Sequence, residues 1–121
     1  MKIIVCVAKN NGILFNHRRV SKDVKVLEDI AENTPNLALS QYSMELFEGI
    51  KLSCKGDIYK FIEEEFDDID SVDEIILYHW NRAYPADVFF RFNKKHFKLQ
   101  DSYDFVGNSH ERITKEVWIK M

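Results

Sequence analysis

Three short runs hold most of the side chains that could do chemistry. Residues 79–82 read His79-Trp80-Asn81-Arg82, residues 16–19 read Asn16-His17-Arg18-Arg19, and residues 109–111 read Ser109-His110-Glu111. In the first run Arg82 can hold a phosphate or carboxylate through paired hydrogen bonds, and Trp80 offers a face on which a base could stack. In the second, Arg18 and Arg19 beside a histidine can bind a phosphate at a helix entry, where the helix dipole favours an anion. The third run invites a hydrolase reading. However, three neighbours in an extended segment cannot form a nucleophile–base–orienter relay, and a working triad draws on distant positions. The chemistry that fits the residue types better pairs His17 with His110 as acid and base, with Arg19 or Arg82 stabilising charge on a phosphodiester. Each run also has a bland reading. Trp80 packs in the core while Asn81 and Arg82 serve the turn at Pro85, the arginines sit in a solvated loop, and His110 caps a turn. On that reading Thr114 and Glu116 face water.

Charge is unevenly distributed. The net charge of -3 hides a segment, Asp57 to Glu74, with nine acids against one base, Lys60. The remainder is therefore net basic and could tolerate a phosphate, whereas the acidic block suits a basic protein partner. Glu63, Glu64, Glu65, Asp67, Asp68 and Asp70 are the candidate partner-binding residues, a dense face that would steer association. Asp67-Asp68-Ile69-Asp70 lacks the spacing, glycine and closing Glu of a calcium loop, so no metal is assigned. No glycine-rich nucleotide motif is present and no cofactor is expected. Cys6 and Cys54 have neither CxxC spacing nor a Cys/His grouping, as in reduced residues of a cytosolic protein.

The elements that must position these residues follow from patterning. At 121 residues the chain fits one α/β domain with a core of its own. Residues 2–8 and 75–78 are continuous apolar runs, the pattern of strands covered on both faces. Lys9 to Val20 reads as a long loop with a turn at Asn10-Asn11-Gly12. Ser21 is a candidate cap for a helix to Asn33, ended by Thr34-Pro35. Ser40 caps a second helix, with Gly49 at its C-terminal end. Ile50–Ser53 and Asp57–Ile62 read as strands around a Lys55-Gly56 turn, and Val88–Phe92 and His96–Leu99 as a hairpin. Gln100–Asn108 reads as a polar loop, and Ile113–Ile119 as a last strand broken by Lys115. The expected fold class is α/β: a mixed sheet with two early helices and an antiparallel C-terminal half.

Three stretches, Val5 to Asp23, Ile76 to Asp87 and Ser109 to Val117, fit the patterns VCVxxNNGxxFNxRRxSxD, ILYxWNRxYPAD and SHExITxEV. In these the chain resembles a group of small bacterial proteins, some of which carry a ribonuclease label. It has no HxHxDH motif, so metallonuclease chemistry would have no ligands here. In size, acidity and style it is also similar to the immunity proteins of contact-dependent growth inhibition systems. That resemblance implies a cytoplasmic protein that neutralises a cognate toxin domain, a nuclease in many such systems, through its acidic face. The alternative is a small phosphate- or RNA-directed enzyme, or a nucleic-acid-binding domain, built on His17, Arg82 and His110 with Arg18 and Arg19.

Overall fold

Two strands buried on both faces form the centre of the molecule, a computed structural model that describes residues 1–34 and 36–121. β1 (Lys2–Val7) and β6 (Glu74–His79) run parallel, with Lys2 opposite Glu74 and Val7 opposite His79. Ile3, Val5, Val7, Ile75 and Leu77 point into one core, while Ile4, Ile76, Tyr78 and Trp80 point into the other. Burial on both faces is why neither run shows polar alternation.

Around this pair the sheet grows in both directions. β5 (Tyr59–Ile62) lies parallel to β1, and β4 (Leu37–Ala38) parallel to β5. On the far side β9 (Ile113–Lys120) is antiparallel to β6, and β8 (Phe97–Phe105) antiparallel to β9. The order is β4-β5-β1-β6-β9-β8. A second, antiparallel sheet places β2 (Gly12–Phe15) between β3 (Arg18–Arg19) and β7 (Val88–Phe89). The helix α1 (Val24–Asn33) seats Val26, Leu27 and Ile30 on one face of the large sheet, beside Phe47 after α2 (Gln41–Leu46). The opposite face is covered by Ile13 and Leu14 of the small sheet, with Phe90, Phe92 and Phe97. This is the α/β architecture with a mixed sheet that the patterning implies.

Several local expectations are corrected. The segment read as a long loop from Lys9 to Val20 is a β2–β3 hairpin, with Phe15 opposite Arg18. Asn16 and His17 both have positive φ, 51° and 66°, the left-handed pair that matches strand twist. The α1 cap is Asp23, not Ser21: the Asp23 side chain accepts from the Lys25 N–H. Thr34 is the C-cap, and Pro35 lies outside the described residues. Ser40 caps α2 as expected, and Gly49 follows it with φ 82°. Ile50–Ser53 is not a strand, although Ile50 and Leu52 pack on the core. Nor do Val88–Phe92 and His96–Leu99 form a hairpin: β7 joins β2, whereas β8 joins β9. β8 takes in most of the supposed loop after Leu99. As an edge strand exposed on both faces for most of its length, it carries no apolar period to reveal it.

Lys115, the apparent break in β9, is buried. Its Nζ donates to Asp29 Oδ2 at 2.9 Å, and the same carboxylate oxygen accepts from the Tyr78 hydroxyl. The ammonium also lies 5.5 Å from the Tyr78 ring centre. Burial, then the Asp29 charge, pushes the Tyr78 phenol far above its usual range. Removing one member of a buried pair strands the other, which costs about 3–5 kcal/mol, whereas an apolar replacement of both is close to neutral. Asp29→Ala should therefore lower unfolding free energy by ~3 kcal/mol in urea titrations. Adding Lys115→Met to it should recover most of that loss; a double variant as unstable as Asp29→Ala would show that the charge of Lys115 is not the cause.

Candidate functional site

The carboxyl ends of β1 and β6 and the start of β9 meet at one end of the sheet, since Val7 lies opposite His79 and His79 opposite Thr114. Three loops cross there. The first, between β3 and α1, carries Ser21 and Asp23. The second follows β6 with Trp80 and Tyr84, and the third precedes β9 with Gly107 to His110.

Asp23 is the anchor. Its carboxylate, fully removed from solvent, accepts from the N–H groups of Lys25 (2.9 Å), Asn108 (2.8 Å) and Ser109 (2.8 Å). His110 Nδ1 donates to Oδ2 at 2.8 Å, and Ser109 Oγ lies 3.2 Å from the same oxygen. Burial alone would raise the Asp23 pKa, but the Asn108 N–H, His110 and the Ser109 and Lys25 N–H groups outweigh it and hold the carboxyl well below its ordinary range. Close packing of the third loop requires Gly107. A Cβ there would lie 2.6 Å from Asp23 Oδ2 and 2.9 Å from the His110 carbonyl oxygen.

His110 continues the chain of hydrogen bonds. Its Nε2 lies 3.0 Å from Ser21 Oγ and 3.1 Å from the Tyr84 hydroxyl, and those two hydroxyls are 3.2 Å apart. Trp80 stacks on the imidazole with centroids 4.8 Å apart and planes at 24°. With Asp23 ionised, Nδ1 carries the proton shared with the carboxylate, which leaves Nε2 to accept from a hydroxyl. The result is a carboxylate–imidazole–hydroxyl line, Asp23–His110–Ser21, assembled from residues 87 and 89 positions apart. That is the geometry by which a serine hydroxyl is activated. Ser21 lines a small cavity of about 20 Å³ with Arg19, Lys22, Phe61 and Trp80 among others. Next to it lies an open cleft of about 460 Å³ walled by Arg19, Lys22, Asp23, Glu45, Asn108 and Ser109 among others, which neither Ser21 nor His110 lines.

The other candidate residues are dispersed. Arg19 binds Glu63 through two bonds, Nε to Oε2 at 2.7 Å and Nη2 to Oε1 at 3.0 Å. Ser43 Oγ donates to the same carboxylate at 2.8 Å, and the guanidinium lies over Tyr42. The Glu63 bond raises the Arg19 pKa. Arg19 is thus spent on a carboxylate rather than a phosphate, and Glu63 belongs to a half-buried ion pair rather than to a partner surface. Glu64, Glu65, Asp67, Asp68 and Asp70 are exposed. Arg18 is exposed beside the hairpin tip, where His17 makes no hydrogen bond among the described residues. His110 is buried, so His17 and His110 do not form an acid–base pair. Arg82 is exposed on a separate cleft with Trp80, Asn81, Glu111 and Arg112. Thr114 and Glu116 do not simply face water. Thr114 accepts from Asn81 Nδ2 and donates to Asp104, and Glu116 accepts from His79 and Trp118. Ser21, Asp23 and Tyr84 escaped the sequence reading. The Ser21-x-Asp23 pair before an apolar helix was the signal, and capping masked it. Among the described residues no group of three or more metal-ligating side chains comes together, and no helix is long and apolar enough to cross a membrane.

No family model and no curated protein matches the sequence. Among solved structures, the chain is similar to the dihydrofolate reductase of Enterococcus faecalis in complex with NADP(H) and RAB-propyl. The TM-score is 0.72 at 9% identity, over 99% of this chain and 96% of that one. The chain thus has the dihydrofolate reductase fold. The expectation of an immunity protein with a cognate toxin partner is overturned by this likeness, which runs over nearly the whole chain to the fold of a dihydrofolate reductase. The phosphodiester alternative goes with it, since its arginines and histidines do not converge.

The dinucleotide held by that neighbour finds no cradle here. Pyrophosphates are gripped by glycine-rich strand-to-helix turns and helix N-termini. In this chain β6 runs into Trp80, 3% exposed, which packs into the helix-side core rather than presenting backbone N–H groups of a glycine-rich turn. α2 has six residues, and its Ser43 N–H is already taken by Ser40 Oγ. None of Gly12, Gly49, Gly56 and Gly107 lies in the turn from β4 to α2 or directly after β6. The residues present do not fit NADP(H), and no hydride step is assigned.

The Asp23 geometry has a pH signature. A carboxyl whose folded pKa is depressed contributes stability that is complete above its unfolded value, about 3.9, and is lost as pH falls towards the folded one. Asp23→Asn should destabilise the protein by ~2–3 kcal/mol near neutrality. The gap to the parent should narrow by about 1 kcal/mol at about pH 3. Urea titrations at the two pH values check this, and a constant gap would contradict the depressed carboxyl.

Proposed function

We propose that this protein is a cofactor-independent enzyme acting by acyl transfer on a small ester, thioester or amide. Ser21 is the nucleophile, His110 the base and Asp23 the orienting carboxylate. The observation that carries the reading is the continuous Asp23–His110–Ser21 line, with contacts of 2.8 and 3.0 Å, beside the cleft at the strand ends. Open α/β sheets place ligands at that end.

The steps follow from the residues present. Ser21 Oγ attacks the substrate carbonyl as His110 Nε2 takes its proton, and the Asp23 carboxylate stabilises the imidazolium. His110 then gives that proton to the leaving group as its bond to the acyl carbon breaks, leaving an acyl ester on Ser21. Water, deprotonated by the same Nε2, attacks the ester; the acid departs and Ser21 recovers its proton. The N–H groups of Lys22 and Asp23 donate to no acceptor among the described residues. They follow Ser21 directly and supply donors for the developing oxyanion. Trp80 keeps the imidazole ring in plane and dry. The Tyr84 hydroxyl holds Ser21 Oγ and Nε2 together in the free protein.

The reading is tested with a fluorophosphonate probe and intact mass spectrometry, beside hydrolysis of short p-nitrophenyl esters. One adduct on Ser21 is expected. Ser21→Ala should abolish it, and His110→Gln should slow ester hydrolysis by at least ~100-fold while near-ultraviolet circular dichroism stays as in the parent. No adduct, or an adduct elsewhere that Ser21→Ala leaves intact, would remove the proposal.

A further inference from the structure

We propose that the opposite face of the large sheet carries a second, separate site, for a small aromatic molecule bearing one anionic group. β6 serves both faces. Trp80 packs with the helix-side core, whereas Leu77 points into the other core and His79, two residues on, lies on that same side. A recess of about 210 Å³ opens there, lined by Asn11, Leu77, His79, Phe90, Arg91, Phe92 and Lys94. That is below the roughly 300–1,000 Å³ of sites for drug-sized ligands and suits a single substituted ring.

The lining divides by chemistry. Leu77 and Phe90 are 3% and 2% exposed and make an apolar floor, with the half-buried Phe92 tilted 38° against Phe90 at 5.9 Å between centroids. A flat ring can pack against that pair in offset or edge-on contact. The polar side is prepared. His79 Nε2 donates to Glu116 Oε1 at 2.7 Å, and Trp118 Nε1 donates to the same oxygen at 3.2 Å. Glu116 thereby fixes the His79 ring from behind, and Nδ1 of His79 has no partner among the described residues.

The rim is cationic. Arg91 and Lys94 are exposed and lie over aromatic rings, Arg91 5.2 Å from the centre of Phe89 and Lys94 5.4 Å from that of Trp118. Neither is in an ion pair among the described residues, and no carboxylate lines the recess. An apolar floor beneath two unmatched cations selects a ring with an anion at one edge. A carboxylate and a phosphate ester share that chemistry.

Two-dimensional NMR titration of the intact protein with benzoate, phenyl phosphate and benzyl alcohol, each to about 10 mM, tests the site. At least one of the two anions should shift the resonances of Leu77, His79, Phe90 and Phe92 in saturable fashion, and the stronger of them identifies the anion class. The neutral alcohol should bind at least ~10-fold more weakly, as expected when charge-assisted bonds are lost. Arg91→Glu with Lys94→Glu should abolish anion binding while resonances elsewhere stay in place. Ester hydrolysis at Ser21 should be unaffected, which separates this site from the first. Shifts by neither anion, equal shifts by the alcohol, or undiminished binding in the double variant would overturn the proposal.

Discussion

One ionised carboxylate, taken wholly out of water, organises the strand-end region. Asp23 caps α1, gathers the Asn108 and Ser109 N–H groups, and receives the His110 proton, so a helix start and a loop more than eighty residues away share one charge. A buried charge is tolerable only when nearly every lone pair is used, and here both oxygens accept more than one donor. That demand fixes the loop from Gly107 to His110 so closely that Gly107 admits no side chain. It also aims Nε2 at Ser21 and Tyr84. Pre-organisation of the imidazole is thus a consequence of satisfying Asp23.

The same logic separates two kinds of arginine. Arg19 is planar, half-buried and matched by Glu63 in a forked pair, with Ser43 and Tyr42 completing its surroundings. It ties the β2–β3 hairpin to the end of β5 and thereby forms a wall of the strand-end cleft. Arg82 and Arg91 stand exposed at the margins of other recesses. Charge counted along the chain treats all three alike, and only the placement of carboxylates tells them apart.

How much was legible in the sequence follows from what each segment answers to. β1 and β6 were readable because their apolar runs answer to burial on both faces, and α2 because Ser40 and Gly49 mark its ends. β8 was not, because an edge strand facing water has no hydrophobic period; its pairing depends on β9, which lies beyond it. The β2–β3 hairpin was hidden by a turn made from Asn16 and His17 instead of the more familiar Asn-Gly. At the site, His110 and Trp80 were noticed as reactive or stacking types, but Ser21 read as a helix cap and Asp23 as an ordinary residue two positions on. The cap is Asp23 instead, and nothing in the local pattern announces that it also holds His110. A hydrogen-bonded line across nearly ninety positions leaves no spacing rule for inspection to find.

The order of the strands also bears on how the chain is made. β1 is made before both of its partners, β5 and β6, residues 59–62 and 74–79. β9, which covers the far edge of β6, comes only at residues 113–120. During synthesis the apolar run from Ile3 to Val7 therefore waits, unpaired, until β5 at residues 59–62 has followed it. Non-local parallel pairing of this kind is slow, and exposed strands of this composition are prone to association.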